Sequence, residues 1–107
     1  MSRRMLEHGR AGCEDALETR DRFYREAAAG HVPAALRNNL VADVVIMHDA
    51  VGRFQPAGVD DERPDISHVE AAFEGGFDAE DADPAECVEL IDELDRIARK
   101  YDYGVNQ

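Results

Sequence analysis

Apolar side chains recur at helical intervals along most of this chain. Between residues 4 and 29, Leu6, Cys13, Ala16, Leu17, Phe23, Tyr24 and Ala27 fall on one face and leave Glu14, Glu18, Asp21, Arg22 and Arg25 for solvent. That spacing predicts a long amphipathic helix. Gly9 and Gly12 weaken its first turns, and Gly30, after "REAAA", offers a left-handed stop. The link to the next periodic segment is only two or three residues, which predicts antiparallel neighbours.

Pro33 suits the first turn of a second helix, on which Leu36, Leu40, Val44, Met47, Val51 and Phe54 form one face. Val41, Val45 and Ile46 add a second apolar stripe, so this helix should be the central element, contacted from more than one side. "QPAGVDDERPD" then breaks the pattern with Pro56, Gly58 and Pro64 and reads as a loop. "SHVE" reads as a capping box with Ser67 as N-cap and Glu70 three residues on, opening a short helix to about Glu74 that Gly75 and Gly76 stop. After the acidic linker "FDAEDAD", "DPAE" repeats the start signal with Asp83 as N-cap and Pro84 in the first turn. Cys87, Leu90, Ile91, Leu94, Ile97, Ala98 and Tyr101 follow in register until Gly104. No strand-like alternation competes. The expected fold is all-α, an antiparallel up-and-down bundle of three long helices plus one short one, with residues 1–107 as a single domain.

Charge changes the picture of the surface. The 107 residues carry 24 acidic against 12 basic side chains, a formal net charge of −12, and Lys100 is the sole lysine. The chain is nevertheless 44% hydrophobic with clear periodicity, so it is expected to be ordered and adapted to high salt, as in an extreme halophile. Surface carboxylates repel one another in dilute solution and are screened in concentrated electrolyte. The same charge disfavours generic binding to a phosphate backbone. Cys13 and Cys87 are far apart, without metal-ligand spacing, and read as small core residues. No apolar run is long enough for a membrane span or signal peptide, so a cytoplasmic location and no membrane partner are expected.

The polar residues threaded through the second helix, "RNNLVADVVIMHDAVGR", are the natural place to look for chemistry. Arg37 and His48 are three turns apart and share a face, yet their Cα atoms would be separated by roughly 16 Å along the axis. They cannot make one site within a monomer. Asn39 and Asp43 are one turn apart, as are Asp49 and Arg53. Two readings stand. Either Asn39, Asp43, Ala50 and Arg53 form the solvent or subunit-contacting edge of the helix, or the edge lines a groove in which Asn39 and Asp43 hydrogen-bond and His48 titrates or ligates. Tyr103, near Arg99 and Lys100, is either a C-terminal anchor or part of a binding edge. The candidate binding residues are therefore Arg37, Asn39, Asp43, His48, Asp49, Arg53 and Tyr103. A metal site would need His48 and His68 together with Asp49, Asp65 or Glu70, and no HExxH or Glu-x-x-His pair supports one. Ser2 and Ser67 are poor nucleophile candidates and "EGGF" is a helix stop, so no catalytic residue, metal or cofactor is assigned.

With these elements placed, the chain resembles the HEPN superfamily of small helical bundles over residues 20–104. "AAAGHVPAA" is similar to the family's turn between its first two long helices, and "NLVADVVIMHDAV" to its pattern of an asparagine followed ten residues on by "DA". "DISHVEAAF" looks like its short histidine-initiated helix, and "LIDELDRIARKYDYG" like its last helix. The resemblance implies an up-and-down bundle that commonly dimerises, in some branches paired with a small nucleotidyltransferase and in others acting as a ribonuclease. The ribonuclease branch uses an arginine followed four to six residues later by a histidine. Here Arg96 and Arg99 are followed by Tyr101 and Tyr103, with no histidine after His68, so the expected general base is missing. A second likeness, through the Tyr/Phe-rich first helix and the "G-x-x-x-A-L" turn, is to a small archaeal helical-bundle family of unknown function. The expectation is a non-catalytic helical binding or assembly module, homodimeric, with a protein or nucleotide-like partner. The alternatives are a degenerate ribonuclease with Arg37 and His48 meeting across a dimer, and a purely structural subunit.

Overall fold

Among the described residues the backbone forms four helices: α1 (Arg3–Ala28), α2 (Ala34–Phe54), α3 (Ser67–Glu74) and α4 (Pro84–Tyr101). The structure is a computed structural model that describes residues 3–54, 58, 60–75 and 83–101, and for residues 3–12, 54 and 101 the backbone alone. Among the described residues there is no strand. Tyr103 and Gly104 lie outside them, as do Gly76, most of the acidic linker, and the side chains of Phe54 and Tyr101.

The periodicity of α2 explains its place. Leu36, Leu40, Val44, Met47 and Val51 have no measurable exposure and Val41 is nearly as deep, so one broad face is sealed. α2 packs against all three other helices, while α1 also touches α4. Cys13 and Ala16 of α1, Val69 and Ala72 of α3, and Cys87, Ile91, Leu94 and Ile97 of α4 complete the core around it. Both cysteines are buried in the core, and burial pushes the Cys87 thiol up to about 11. Such a group is packing, not a nucleophile.

Burial on α1 weakens toward its C-terminal end. Tyr24 is 51% exposed and Ala27 is exposed, although both fall on the predicted apolar stripe. Phe23, half-buried on the core, takes the position instead, and Tyr24 leans on it with ring centroids 6.0 Å apart. On α2 the second stripe divides: Val41 is buried, Val45 is half-buried against the core, and Ile46 is 51% exposed.

The helix ends follow local chemistry. Gly30 adopts φ 86°, and its N–H donates to the Ala27 carbonyl while that of His31 donates to Glu26, the paired bonds of a left-handed C-cap. Asp83 caps α4, its carboxylate accepting the Ala85 N–H at 3.0 Å, with Pro84 at the first helical position. The start of α3 differs from the expected capping box. Ser67 is already helical, and Asp65, two residues earlier, accepts both the Ser67 N–H and the Ser67 hydroxyl. Gly75, the C-cap of α3, has φ −81°, an ordinary right-handed value.

Among the described residues, ion pairs join elements distant in sequence. Arg20 of α1 reaches Asp92 of α4 at 2.6 Å, Lys100 of α4 reaches Glu62 at 2.8 Å, and His68 of α3 lies 2.7 Å from Glu86 of α4. Among the described residues no helix is long and apolar enough to cross a membrane.

Candidate functional site

Two grooves flank α2, one holding Asn39 and Asp43 and the other His48 and Asp49. The first lies against α1. Asn39, Ala42 and Asp43 of α2 face Asp15, Glu18, Thr19, Arg22 and Arg25 across an open cleft of about 300 Å³. Asn39 and Asp43 are thus brought to one site, as the one-turn spacing suggests. Asp43 is half-buried, and the loss of water around it raises its pKa above the ordinary carboxylate value; the Thr19 hydroxyl works the other way, and Asp15 adds to the rise.

The second groove, between α2 and α3, is larger at about 510 Å³. Its apolar wall is Val45, Ile46, Ile66 and Phe73, and its polar lining is His48, Asp49, Arg63 and Glu70. Ile46 stands in it half in water, beside the half-buried Val45 and the exposed Phe73. Ile66 is sealed at 2% exposure, so the floor is firm while the α2 bank is open.

Arg63 organises this groove, and nothing in the spacing of the sequence singles it out. Asp61 holds it by paired hydrogen bonds, Nε to Oδ1 at 2.9 Å and Nη2 to Oδ2 at 2.8 Å, and also accepts the Arg63 backbone N–H. These bonds draw the Asp61 carboxyl down to about 2. Thus braced, Nη1 donates to the His48 carbonyl at 3.1 Å and lies 3.4 Å from His48 Nδ1. An arginine can only donate, so the second contact is a hydrogen bond when Nδ1 carries no proton. The approach requires Gly52: a Cβ there would sit 2.2 Å from Nη1. A glycine inside an otherwise regular helix was the one sequence signal for this contact, because its absent side chain leaves room for a group from elsewhere.

The remaining candidates fall outside both constellations. Arg37 is half-buried, its Nε enclosed without a hydrogen-bond partner, and the unbroken helix keeps it three turns from His48. Arg53 pairs with Asp49 at 3.0 Å on the exposed edge. Tyr103 lies outside the described residues, and its basic neighbours are engaged: Arg99 with Asp95 at 2.9 Å, Lys100 with Glu62. His48 faces Arg63 and His68 faces Glu86; among the described residues no three His, Cys, Asp or Glu side chains gather as a metal site would require.

The α2–α3 groove therefore offers an apolar wall beside fixed charges, a composition suited to holding a ligand or partner. Comparison with known proteins matches the chain to no family model, no curated protein and no solved structure.

Proposed function

We propose that this protein is a non-catalytic helical binding and assembly module, HEPN-like in its architecture and homodimeric, with the α2–α3 groove as its interaction face. In this reading α1, α2 and α4 form an antiparallel up-and-down bundle with α3 as the short fourth helix, all in one domain. The short link over residues 29–33 and the packing of α1 on α2 support that arrangement.

The observation that carries the proposal is Ile46, 51% exposed on the wall of a groove that also holds Val45, Ile66 and Phe73. Burying the exposed half of such an aliphatic side chain stabilises an association by about 1 kcal/mol, which favours an apolar protein surface over a small polar ligand. A nucleotidyltransferase-type protein is the further partner that the HEPN likeness suggests. The net charge of −12 supports a halophilic setting and a cytoplasmic one, where molar potassium would screen it.

Light scattering in molar potassium chloride tests the module directly. A mass near twice the 11.9 kDa of the chain is the expected result; a monomer at high protein concentration overturns the reading.

One observation favours the ribonuclease alternative. His48 and Arg63 lie side by side in one chain, so a histidine and an arginine meet without the dimer that Arg37 and His48 would need. Yet Nδ1 already faces the Arg63 guanidinium at 3.4 Å, so that ring nitrogen is occupied within the chain. The account expects no RNA cleavage by the wild-type protein, and cleavage abolished by His48→Ala in a folded variant would reverse the assignment.

A further inference from the structure

The cleft between α1 and α2 shares no lining residue with the groove of the proposed dimer, so its role is independent of that assignment. Its lining is sorted by charge along α1. Asp15 and Glu18 come first, Thr19 follows, and Arg22 and Arg25 come one to two turns later. From α2, Asp43 joins the acidic end, beside Thr19 and in the field of Asp15. It is half-buried and poorly compensated there. The Thr19 hydroxyl donates to the Asp15 carbonyl at 3.0 Å, and a hydroxyl has one proton to give. Among the described residues no ion pair holds Asp15, Glu18 or Asp43.

The arginine end is equally uncommitted. With acids outnumbering bases 24 to 12, pairing is the rule: Arg20, Arg53, Arg63, Arg96, Arg99 and Lys100 each lie within 3.8 Å of a carboxylate. Arg22 meets Glu26 only at 3.9 Å, and Arg25 pairs with no carboxylate among the described residues. Arg37 is the other arginine with a described but unpaired side chain, and it does not line this cleft. A purely anionic ligand would meet the three carboxylates, and a purely cationic one the two arginines. Only a ligand of both charges suits both ends. We propose that the α1–α2 cleft binds a small zwitterion, its ammonium donating to Asp43 and Asp15 and its carboxylate accepting from Arg22 and Arg25. Asn39, one turn from Asp43, adds a neutral hydrogen-bonding amide. The carboxylates do not converge as the ligands of a metal ion would, which suits a bulkier ammonium group. From Thr19, beside Asp43, the rise to Arg22 and Arg25 is roughly 4.5 and 9 Å, which favours an ω-amino acid over one with adjacent charges. A cleft of about 300 Å³ suits a ligand of that size.

NMR titration of the ¹⁵N-labelled full chain with 6-aminohexanoate tests this, at the lowest potassium chloride concentration at which circular dichroism shows it folded. The proposal expects saturable shifts of amides 15–25 and 39–43. Hexylamine and hexanoate, each with one of the two charges, should bind about tenfold more weakly or worse. Asp43→Asn should weaken binding of the zwitterion about tenfold at the ammonium end, and Arg25→Gln, at an exposed position, should do so at the carboxylate end. Absence of saturable shifts overturns the proposal. So does hexylamine binding as tightly as the zwitterion, or unchanged affinity in either folded variant. None of these readouts depends on oligomeric state, so failure here leaves the dimer standing, and a monomeric protein leaves the cleft standing.

Discussion

At the scale of single residues, Gly52 and Arg63 behave as one unit. Replacing Arg63 with alanine removes its bond to the His48 carbonyl and the brace to Asp61, and should cost about 1–2 kcal/mol in chemical denaturation. Gly52→Ala gains helix propensity of about 1 kcal/mol but displaces the flexible guanidinium, so its own effect should be small. In the Gly52→Ala background the Arg63→Ala change should then cost much less, a coupling that a double-mutant cycle reads; strict additivity would contradict the contact. Acid weakens the same brace late. Asp61 is drawn down to about 2 when folded, so its contribution is complete above the ordinary carboxylate range and is lost only as pH falls through about 2. Asp43 has the opposite sign. Its pKa is raised by burial, so what it contributes is present below the usual carboxylate pKa and lost as pH rises through its folded value. Asp43→Asn should stabilise the protein at neutral pH by up to about 1 kcal/mol, with the advantage vanishing in acid; equal melting of the two proteins at pH 7 would contradict the desolvation account. The sequence showed Asn39 with Asp43 and Asp49 with Arg53, because one turn of helix fixes those distances. Arg63 was invisible because it joins α2 through a loop, where residue spacing carries no geometry.

At the scale of elements, the apolar period specified the helices and misjudged their margins. The runs from Leu36 to Val51 and from Cys87 to Ala98 are buried as their spacing requires, since three and four residue steps leave no choice of face. Tyr24, Ala27 and Ile46 sit on the same periodicity yet stay exposed, because what covers a stripe depends on neighbouring helices rather than on the stripe. Capping was equally local. Asp83 and Gly30 do what their residue types suggest, whereas Ser67 yields to Asp65, whose side chain is also of capping type and lies two residues nearer the loop. Asp65→Ala should therefore lower the melting temperature more than Ser67→Ala does. The reverse order would restore Ser67 as the cap.

At the scale of the whole molecule, charge and apolar exposure act in opposite directions. A net charge of −12 opposes compaction in dilute solution, so the melting temperature should rise markedly between dilute and molar potassium chloride; equal stability in both would remove the salt-adapted reading. The exposed α2 bank is where the proposed dimer would form, and its variant is well suited to the question because Ile46, 51% exposed, contributes little to the sealed core. The central claim is that this bank is where two chains meet. Sedimentation equilibrium of wild type beside Ile46→Glu, both in molar potassium chloride and both folded by circular dichroism, tests it most directly. The account predicts a dimer for wild type and a monomer for Ile46→Glu, and a variant that remains dimeric at the wild-type association constant would contradict it.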